Sequence, residues 1–395
     1  MTEQSTRTID SGPVDSKASR STLRGRPMLY TEYARDQSLL NTPAKRRWTA
    51  LLGLLVFAAP FLPFVSRSNL ADISLVMVLA IGGIGLNLVT GYAGQVSLGH
   101  AFFVGVGAFT ASTLGGAPTG SVVGYELDLL IWLPAAGLVA GGLGLLLAPL
   151  AARVRGLYLA ILTLGLVFIG EHVFKTMVFI SGGQGVGRRG PDPSILGFEL
   201  YVPQEIFGFQ LAREAPFYLF VFLLLIVMGV AARNLARSRM GRAFAAVRDR
   251  DIAAEVMGVP LLKTKTIAFG VSSFYAGVCG GLLAVSYGQI TPENFGGLGG
   301  LLLSVEFLAI ILIGGVATIS GSIIGAAFVV LMPNLVQAYA GSIPFIGDGT
   351  FLSIQQLEGI LFGVLIVVFL VLEPRGLFGM WLRIRNYWKA WPFSY

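Results

Sequence analysis

Gln95, Ser97 and His100 are polar side chains set among small and apolar residues, and they could bind or guide a polar molecule. They lie in GYAGQVSLGHAFF, residues 91–103, between the apolar stretches LVMVLAIGGIGLNLV and VGVGAFTASTL. Glycine permits an interrupted helix, and irregular backbone inside a membrane is tolerated where protein covers it or where it lines a water-filled cavity. The stretch therefore predicts either a polar path through a membrane or polar contacts that hold helices together.

Glu306 is a second candidate, in LLLSVEFLAIILIGG. A carboxylate among aliphatic residues must face the interior of a helix bundle and find a partner there, or be protonated. We therefore predict that Glu306 lines the same path as Gln95, Ser97 and His100. Glu171 and Lys175 are four residues apart, a spacing that predicts a structural ion pair near the outer membrane surface.

The elements that must position these residues follow from composition. Of 395 residues, 54% are hydrophobic and 12% are charged, whereas a soluble chain carries about a quarter charged residues. Continuous apolar runs favour helices over a barrel, and a spanning helix needs about 20 residues. The sequence predicts an all-α polytopic membrane protein with about ten transmembrane helices. The candidate spans are 48–64, 71–89, 100–114, 130–151, 157–180, 216–232, 267–287, 301–317, 320–339 and 354–372.

The distribution of basic residues predicts the topology. With both termini in the cytoplasm, all but five of the 28 Lys and Arg residues lie on the cytoplasmic side. The five exceptions are Arg67, Lys175, Arg188, Arg189 and Arg213. The net charge of +7 then reflects topology and attraction to membrane lipid, and it does not indicate nucleic-acid binding.

The chain divides into a transmembrane domain and two polar ends. Residues 1–47 are rich in Ser, Thr, Asp and Arg and are expected to be a disordered cytoplasmic tail. Residues 48–378 form the transmembrane domain, and residues 379–395 form a cytoplasmic C-terminal tail. Glycines in spans two, three, seven and eight predict close contacts between helices.

The longest internal loop, residues 231–265, predicts a short amphipathic helix. Phe244 and Val247 are three residues apart, and Ile252 and Val256 are four apart. Gly258 and Pro260 end the helix, because glycine suits a C-cap and proline cannot continue a helix. Such a helix either lies on the membrane surface or docks into a soluble subunit.

A set of motifs resembles the permeases of branched-chain amino acid ABC transporters, the LivM-like family. AAEVMG, residues 253–258, keeps the Ala-Ala-x-x-x-Gly part of the loop by which ABC-importer permeases engage their ATPase, although Ile252 replaces the usual leading Glu. The wider resemblance covers about residues 70–378. Its motifs are GYAGQVSLGHAFFVGVGAFTA at 91–111, RVRGLYLAILTLG at 153–165, GGQGVG at 182–187, GRAFAAVRDRDIAAEVMGV at 241–259 and EPRGL at 373–377.

The resemblance implies a non-catalytic permease subunit of an ATP-driven importer in the bacterial inner membrane. Its partners would be a second related permease, two cytoplasmic ATPase subunits and a periplasmic or lipid-anchored substrate-binding protein. The ATPase contact would involve Arg242, Arg248, Ala253, Ala254 and Gly258. The chain has no G-x-x-x-x-G-K-[ST] loop, so ATP and Mg²⁺ would be bound by the partner subunits and no cofactor by this chain.

Three further interpretations remain open. Similar permeases also carry urea or short amides, and no residue here decides among these substrates and branched-chain amino acids. A proton-coupled secondary transporter would use His100 and Glu306, but it would not explain the Ala-Ala-x-x-x-Gly loop. The external loop, residues 181–215, carries Phe198, Tyr201, Phe207 and Phe209, and it predicts either a cap that meets the binding protein or a cap that closes over this chain alone.

Overall fold

The computed structural model describes residues 43–390 except 63–65, 121, 155, 203, 207–208, 341–353 and 374–375. Residues 1–42 of the N-terminal tail, residues 391–395 of the C-terminal tail and Phe207 therefore lie outside the described residues. The described chain is a bundle of helices with three short two-stranded sheets on connecting segments. The predicted all-α membrane class is confirmed.

The helices, in chain order, are α1 (Pro43–Ala58), α2 (Arg67–Leu86), α3 (His100–Gly115), α4 (Leu129–Ala152), α5 (Leu157–Thr176), α6 (Val178–Ser181), α7 (Ala215–Arg237), α8 (Arg239–Asp249), α9 (Asp251–Val256), α10 (Leu261–Tyr287), α11 (Pro292–Phe295), α12 (Gly297–Gly314), α13 (Ile319–Ala340), α14 (Ile354–Leu372) and α15 (Gly376–Ala390). A 3₁₀ turn, Ala59–Phe61, extends α1, and a π turn, Asn87–Tyr92, extends α2. The strands are β1 (Arg188–Arg189), β2 (Ser194–Ile195), β3 (Phe198–Glu199), β4 (Gln204–Ile206), β5 (Phe209–Leu211) and β6 (Gln289–Ile290), and the antiparallel pairs are β1 with β6, β2 with β3 and β4 with β5.

Seven helices of the described part are long and apolar enough to cross a membrane. They are Arg67–Tyr92, Leu129–Ala152, Tyr158–Thr176, Ala215–Arg237, Leu261–Tyr287, Gly297–Gly314 and Ile319–Val336. Three shorter apolar helices, Ala50–Phe61, His100–Gly115 and Gly359–Phe369, occupy the other predicted positions. The number of long helices in the described part is thus lower than the predicted ten. A shorter helix crosses the membrane fully only if the residues next to it span the remaining thickness.

The core of the bundle is built around α2 and α10. In the most apolar stretch of each helix, 83% of the residues are buried. Glycines on α10 and its neighbours allow close approach: Gly107 of α3 meets the backbone of Gly277, and Gly85 of α2 meets Tyr275. Gly300 of α12 packs against Val167 of α5. The predicted close contacts of these glycine-rich helices are confirmed, and each of these contacts is made within this chain.

The predicted single helix of the 231–265 loop is two helices, α8 and α9. Arg250 separates them with an extended backbone, at φ −157° and ψ 101°. Ser238 caps the start of α8 by accepting hydrogen bonds from the N–H groups of Met240 and Gly241. The predicted end of the second helix is confirmed, because Gly258 adopts φ +84° directly after it.

The segment between α6 and α7 is anchored to the bundle by Arg188. Its Nη1 donates to Ile180 O (2.7 Å) and Thr113 Oγ1 (2.9 Å), and its Nη2 donates to Ser112 O and to Val123 O (3.2 Å). Burial lowers the pKa of Arg188 to about 10. One guanidinium therefore ties four chain segments together.

The aromatic residues of the same segment divide between interior and surface. The ring of Tyr201 packs edge-on against Phe217 of α7 at 5.8 Å, and Arg213 lies over the Tyr201 ring at 5.0 Å. Phe198 is exposed. The segment closes over its own helices through Tyr201 and leaves Phe198 free for other contacts.

Candidate functional site

Residues 93–99 run back into the bundle from the end of the π turn. His100, the first residue of α3, has its Nε2 3.0 Å from the backbone oxygen of Gly82. Gly82 precedes Tyr92 by ten residues along α2 and the π turn, which is about 15 Å at 1.5 Å per residue. Helix α3 therefore begins well inside the bundle, and the seven residues before it are non-helical backbone at that depth.

Protein groups pair with several backbone groups of this re-entering segment and of the first turn of α3. The N–H of Leu98 donates to Thr163 Oγ1 (2.9 Å), and the N–H of Ala101 donates to Ser304 Oγ (3.1 Å). The carbonyl of Gln95 accepts from Thr90 Oγ1 (3.0 Å). These bonds come from two other helices and from the π turn, as irregular backbone inside a membrane requires.

Ser97 and His100 make contacts inside the chain. Ser97 is buried, and its Oγ accepts a long hydrogen bond (3.4 Å) from the N–H of Gly99. The buried ring of His100 pairs with Gly82 and lies edge-on to Phe307, with ring centroids 4.8 Å apart. His100 therefore joins the start of α3 to α2 and α12, whereas the printed bond of Ser97 stays within its own segment.

Gln95 has a different environment. It is only 4% exposed, and its side-chain Nε2 has no hydrogen-bond partner among the described residues. It lines a cavity of about 220 Å³ that opens between residues 93–95, the start of α5 and the α8–α9 loop. Of the three predicted residues in this stretch, Gln95 is the one that borders this cavity.

Glu306 lies on α12 close to the start of α3. It stands between Ser304, which binds Ala101, and Phe307, which contacts His100. Its carboxylate lies within range of electrostatic interaction with Cys279 on α10 and with Tyr287. Glu306 thus lies on the helix that packs against His100 through Phe307, and it does not line the Gln95 cavity.

Glu171 and Lys175 form the predicted ion pair. Lys175 Nζ lies 2.7 Å from Glu171 Oε1, and Glu293 is 4.0 Å away. The pair lies at the end of the bundle opposite to α8 and α9. The predicted ion pair is therefore present, and its structural role stays a prediction.

Asn87 was not predicted as a site residue, yet it joins two interrupted helices. Its Nδ2 donates to Thr318 O (2.9 Å) and to Ser322 Oγ (2.9 Å), and its Oδ1 accepts from the N–H of Ala317 (2.8 Å). Ala317 has φ +58°, a conformation that this amide helps to hold in the turn between α12 and α13. The available sequence signal was that Asn87 is the one polar side chain in residues 75–89.

Arg248 connects the α8–α9 loop to the π turn. Its Nη1 donates to Gly91 O (3.1 Å), and its Nε lies 3.2 Å from Asp249 Oδ1. Its Cγ lies where a Cβ on Gly94 would have to be, so a side chain at that position would collide with it. Because Gly94 also has φ +69°, this contact favours glycine for two reasons.

The other predicted coupling residues divide between the two sides of the loop. Arg242 is exposed and its Nη1 donates to Arg237 O (3.2 Å). Ala253 and Gly258 are exposed, and nothing lies within 4 Å of a Cβ built on Gly258. Ala254 is buried, and its carbonyl accepts from the N–H of Val259 (2.9 Å).

The exposed tip of the loop carries large apolar side chains. Val256 and Met257 are 82% and 83% exposed, and Ile252 is also exposed. On the inner side, Phe244 and Val247 are buried against the bundle. The loop therefore carries one apolar face into the bundle and presents a second one at its tip.

Comparisons with known proteins agree with this architecture. The family described as "Branched-chain amino acid transport system / permease component" matches residues 70–370. The chain is 30% identical to the high-affinity branched-chain amino acid transport system permease protein LivM of Salmonella typhimurium, over 84% of this chain and 74% of that protein. The LivM protein of Escherichia coli is also 30% identical, over 85% of this chain and 76% of that protein.

A more distant similarity links the chain to LivH permeases. The probable branched-chain amino acid transport permease protein LivH of Methanocaldococcus jannaschii is 25% identical over 46% of this chain and 53% of that protein. No solved structure matches the chain. Within the described residues, no group of three His, Cys, Asp or Glu side chains could hold a metal ion.

Proposed function

The chain belongs to the branched-chain amino acid transport permease family, and we propose that it forms the membrane path of an ATP-driven importer for branched-chain amino acids. The family match covers most of the transmembrane domain, which supports a transport role over an enzymatic one. The names of its relatives favour branched-chain amino acids over urea or short amides, and they also favour this role over a proton-coupled carrier.

The observation that carries the proposal is the two-sided α8–α9 loop. Its tip exposes Val256 and Met257, while Arg248 on its inner side contacts Gly91 and Gly94. A loop with an apolar outer tip and a direct contact to an interrupted helix can pass a movement from a soluble subunit to the bundle. We assign the tip, with Arg242, Ala253 and Gly258, to contact with an ATPase subunit.

A movement of the loop would act on two interrupted helices together, at the π turn that extends α2 and at the turn between α12 and α13. Arg248 bonds to Gly91, Gly91 packs against Ala317, and Asn87 bonds to the same turn. A displacement of α8 would therefore shift the 93–99 segment and the α12–α13 turn as one unit. ATP binding acts by favouring the arrangement of the bundle that the docked ATPase stabilises.

The predicted path residues take different roles in this proposal. Gln95 meets the transported molecule, because it borders the cavity and its amide nitrogen has no hydrogen-bond partner among the described residues. Ser97 and His100 keep the segment in place, and α12, which carries Glu306, packs against His100 through Phe307. The path would thus pass Gln95, with Ser97 and His100 holding the segment beside it.

The remaining subunits follow from the family. We propose that a second related permease completes the path, that two ATPase subunits bind ATP and Mg²⁺ at the basic cytoplasmic end, and that an extracytoplasmic binding protein delivers substrate. Both termini would then be cytoplasmic, in the inner membrane of a bacterium. The exposed Phe198 is a candidate contact for the binding protein.

A bulky substitution at Gly258 tests the docking role. In the importer reconstituted with its partner subunits, Gly258→Trp should abolish both stimulated ATP hydrolysis and uptake, because the indole would stand on the contact surface. Gly120→Trp is the matched control, since Gly120 also has a positive φ and open surroundings but lies at the other end of the bundle. Full transport by Gly258→Trp would contradict the proposal.

A further inference from the structure

The C-terminal helix α15 follows closely on the apolar helix α14. Only residues 373–375 separate the two helices, and the chain from Leu372 to Gly376 spans at most about 14 Å. A Cβ built on Gly376 would lie 2.6 Å from Ile313 O and 2.7 Å from Gly315 N, so α15 starts against the turn between α12 and α13. It therefore begins at a boundary of the bundle, at the end that carries α8 and α9.

Only the first turn of α15 packs against the bundle. Gly376 and Gly379 are buried, and Leu377 between them is half-buried. Most of residues 381–388 are exposed instead. The second half of the helix therefore extends beyond the part of the chain that packs around its start.

The exposed half of α15 carries an apolar and aromatic face. Trp381, Ile384 and Trp388 are spaced at i, i+3 and i+7, which places them on one side of the helix. All three are exposed, as is Tyr387 next to them. Asn386 is also exposed, and at 3.6 residues per turn it lies about 200° around the helix from Ile384 and from Trp388. One face is thus apolar and the opposite face is polar.

Basic residues flank the apolar face. Arg383 and Arg385 stand on either side of Ile384, about 100° away in each direction. The side chain of Arg383 is 72% exposed although its Nη2 donates to Glu373 Oε1 (3.0 Å), and Arg385 is half-buried. The sequence from residue 376 to residue 395 contains three basic residues and no acidic one. The helix therefore presents positive charge at the edges of its apolar face.

This combination matches the chemistry of a membrane surface. Trp and Tyr concentrate at the boundary between lipid and water, because their rings are apolar and their N–H or O–H groups are polar. A helix with aromatic residues on one face and Arg at its edges lies in the plane of that boundary. The guanidinium groups can bind the phosphates of anionic lipids. The short link to α14 places α15 at the depth where such lipids are found.

We infer that α15 lies along the membrane surface and binds anionic phospholipids. Trp381, Ile384 and Trp388 enter the headgroup region, and Arg383 and Arg385 bind lipid phosphates. The inference does not depend on the proposed transport function, because it requires only that the chain is a membrane protein. Since α15 starts against the turn between α12 and α13, the lipid contact would also hold that turn at a fixed depth.

Spin labels on the two faces of α15 test its position. In the Cys279→Ala background, the full chain receives one nitroxide at Ile384→Cys or, as the matched control on the same helix, at Asn386→Cys. Each protein is placed in nanodiscs of phosphatidylcholine with phosphatidylglycerol, which is anionic. We expect the label at position 384 to collide more with oxygen, which dissolves in lipid, than with a water-soluble nickel chelate. The label at position 386 should show the reverse.

Two variants of the chain labelled at position 384 separate the charge from the apolar contact. Arg385→Gln should lower the ratio of lipid-bound to water-exposed label about fivefold with phosphatidylglycerol, and leave it unchanged in phosphatidylcholine alone. Trp388→Gln should lower the ratio in both lipids, because burial of the indole does not depend on lipid charge. Arg239→Gln is the matched control, since it removes the same charge from an exposed position at the same end of the bundle.

Thermal unfolding shows whether each variant is folded, and the comparison of positions 384 and 386 requires neither variant. Equal access of the nickel chelate to both labels would overturn the inference and leave the apolar face to a soluble protein. Poor access of both reagents to position 384 would overturn it in favour of a second copy of the chain that covers this face. An effect of Arg385→Gln that is the same with and without phosphatidylglycerol, or is matched by Arg239→Gln, would contradict the binding of anionic lipid.

Discussion

Asn87 joins two interrupted helices by pairing with the turn after α12. Its amide accepts from Ala317 N–H and donates to Thr318 O and Ser322 Oγ. These groups are buried or partly buried in an apolar bundle, where an unpaired polar group is costly. The side-chain amide of Asn87 therefore helps to hold the turn at residues 315–318 against α2.

Replacing Asn87 should destabilise the bundle. Asn87→Leu removes the acceptor for the N–H of Ala317, and we expect a loss of about 1–3 kcal/mol in the free energy of unfolding. Thermal unfolding in detergent measures this loss. Asn69→Leu is the matched control, because Asn69 lies on the same helix but is exposed. Equal unfolding temperatures for the two variants would contradict the role of Asn87.

Arg188 makes a comparable set of contacts at the opposite end. Arg188→Lys keeps the charge but cannot bond to Ile180, Thr113 and Val123 together, because an ammonium lacks the planar fork of a guanidinium. We expect a lower unfolding temperature and faster proteolysis within the 181–215 segment. The neighbouring Arg189 has a 79% exposed side chain, so Arg189→Lys should change neither property. Identical proteolysis of the two variants would refute the anchoring role.

At the scale of elements, α8 and α9 separate docking from transmission. The exposed tip is carried by α9 and the residues after it, whereas Arg248 at the end of α8 contacts the π turn that extends α2. The break at Arg250 makes the two helices distinct elements. A substitution at Arg248 should therefore impair transmission to the bundle and leave docking at the α9 tip intact.

Arg248→Met tests this separation. The variant loses the hydrogen bond to Gly91 but leaves the tip unchanged, so the ATPase should still bind and hydrolyse ATP while uptake falls about tenfold or more, the scale of a typical coupling free energy. Co-purification of the ATPase and uptake into proteoliposomes are the two measurements. Arg239→Met is the control on the same helix, because Arg239 is exposed. Loss of ATPase binding in Arg248→Met would place Arg248 on the docking surface.

At the scale of the whole molecule, the sequence predicted what local patterns determine. Apolar runs gave the helices, Gly258 gave the end of α9, and the spacing of Glu171 and Lys175 gave their ion pair. These features depend on residues a few positions apart.

Tertiary contacts were not predictable from the same patterns. Asn87 bonds to residues about 230 positions away, and Arg248 reaches Gly91 across 157 positions. Periodicity placed Arg248 in the helical part of the loop. It could not show which face of that part packs against the bundle, because it predicted one helix and the break at Arg250 makes two. Ser97 and His100 are polar, as the residues that line a transport path are expected to be. Only their packing distinguishes their environment from that of Gln95.

In the proposed importer, ATP acts through the α8–α9 loop on the segment before α3, and Gln95 lies on the path. In a Cys279→Ala background, which removes the one native cysteine, the chain receives a single new cysteine at Gln95, Ser97 or His100. The assembled importer is then treated with a small charged thiol reagent, with and without ATP. We expect labelling at Gln95→Cys at a rate that changes with ATP, and protection at Ser97→Cys and His100→Cys in both states. Protection of Gln95→Cys in both states, or a labelling rate that ATP leaves unchanged, would contradict the account.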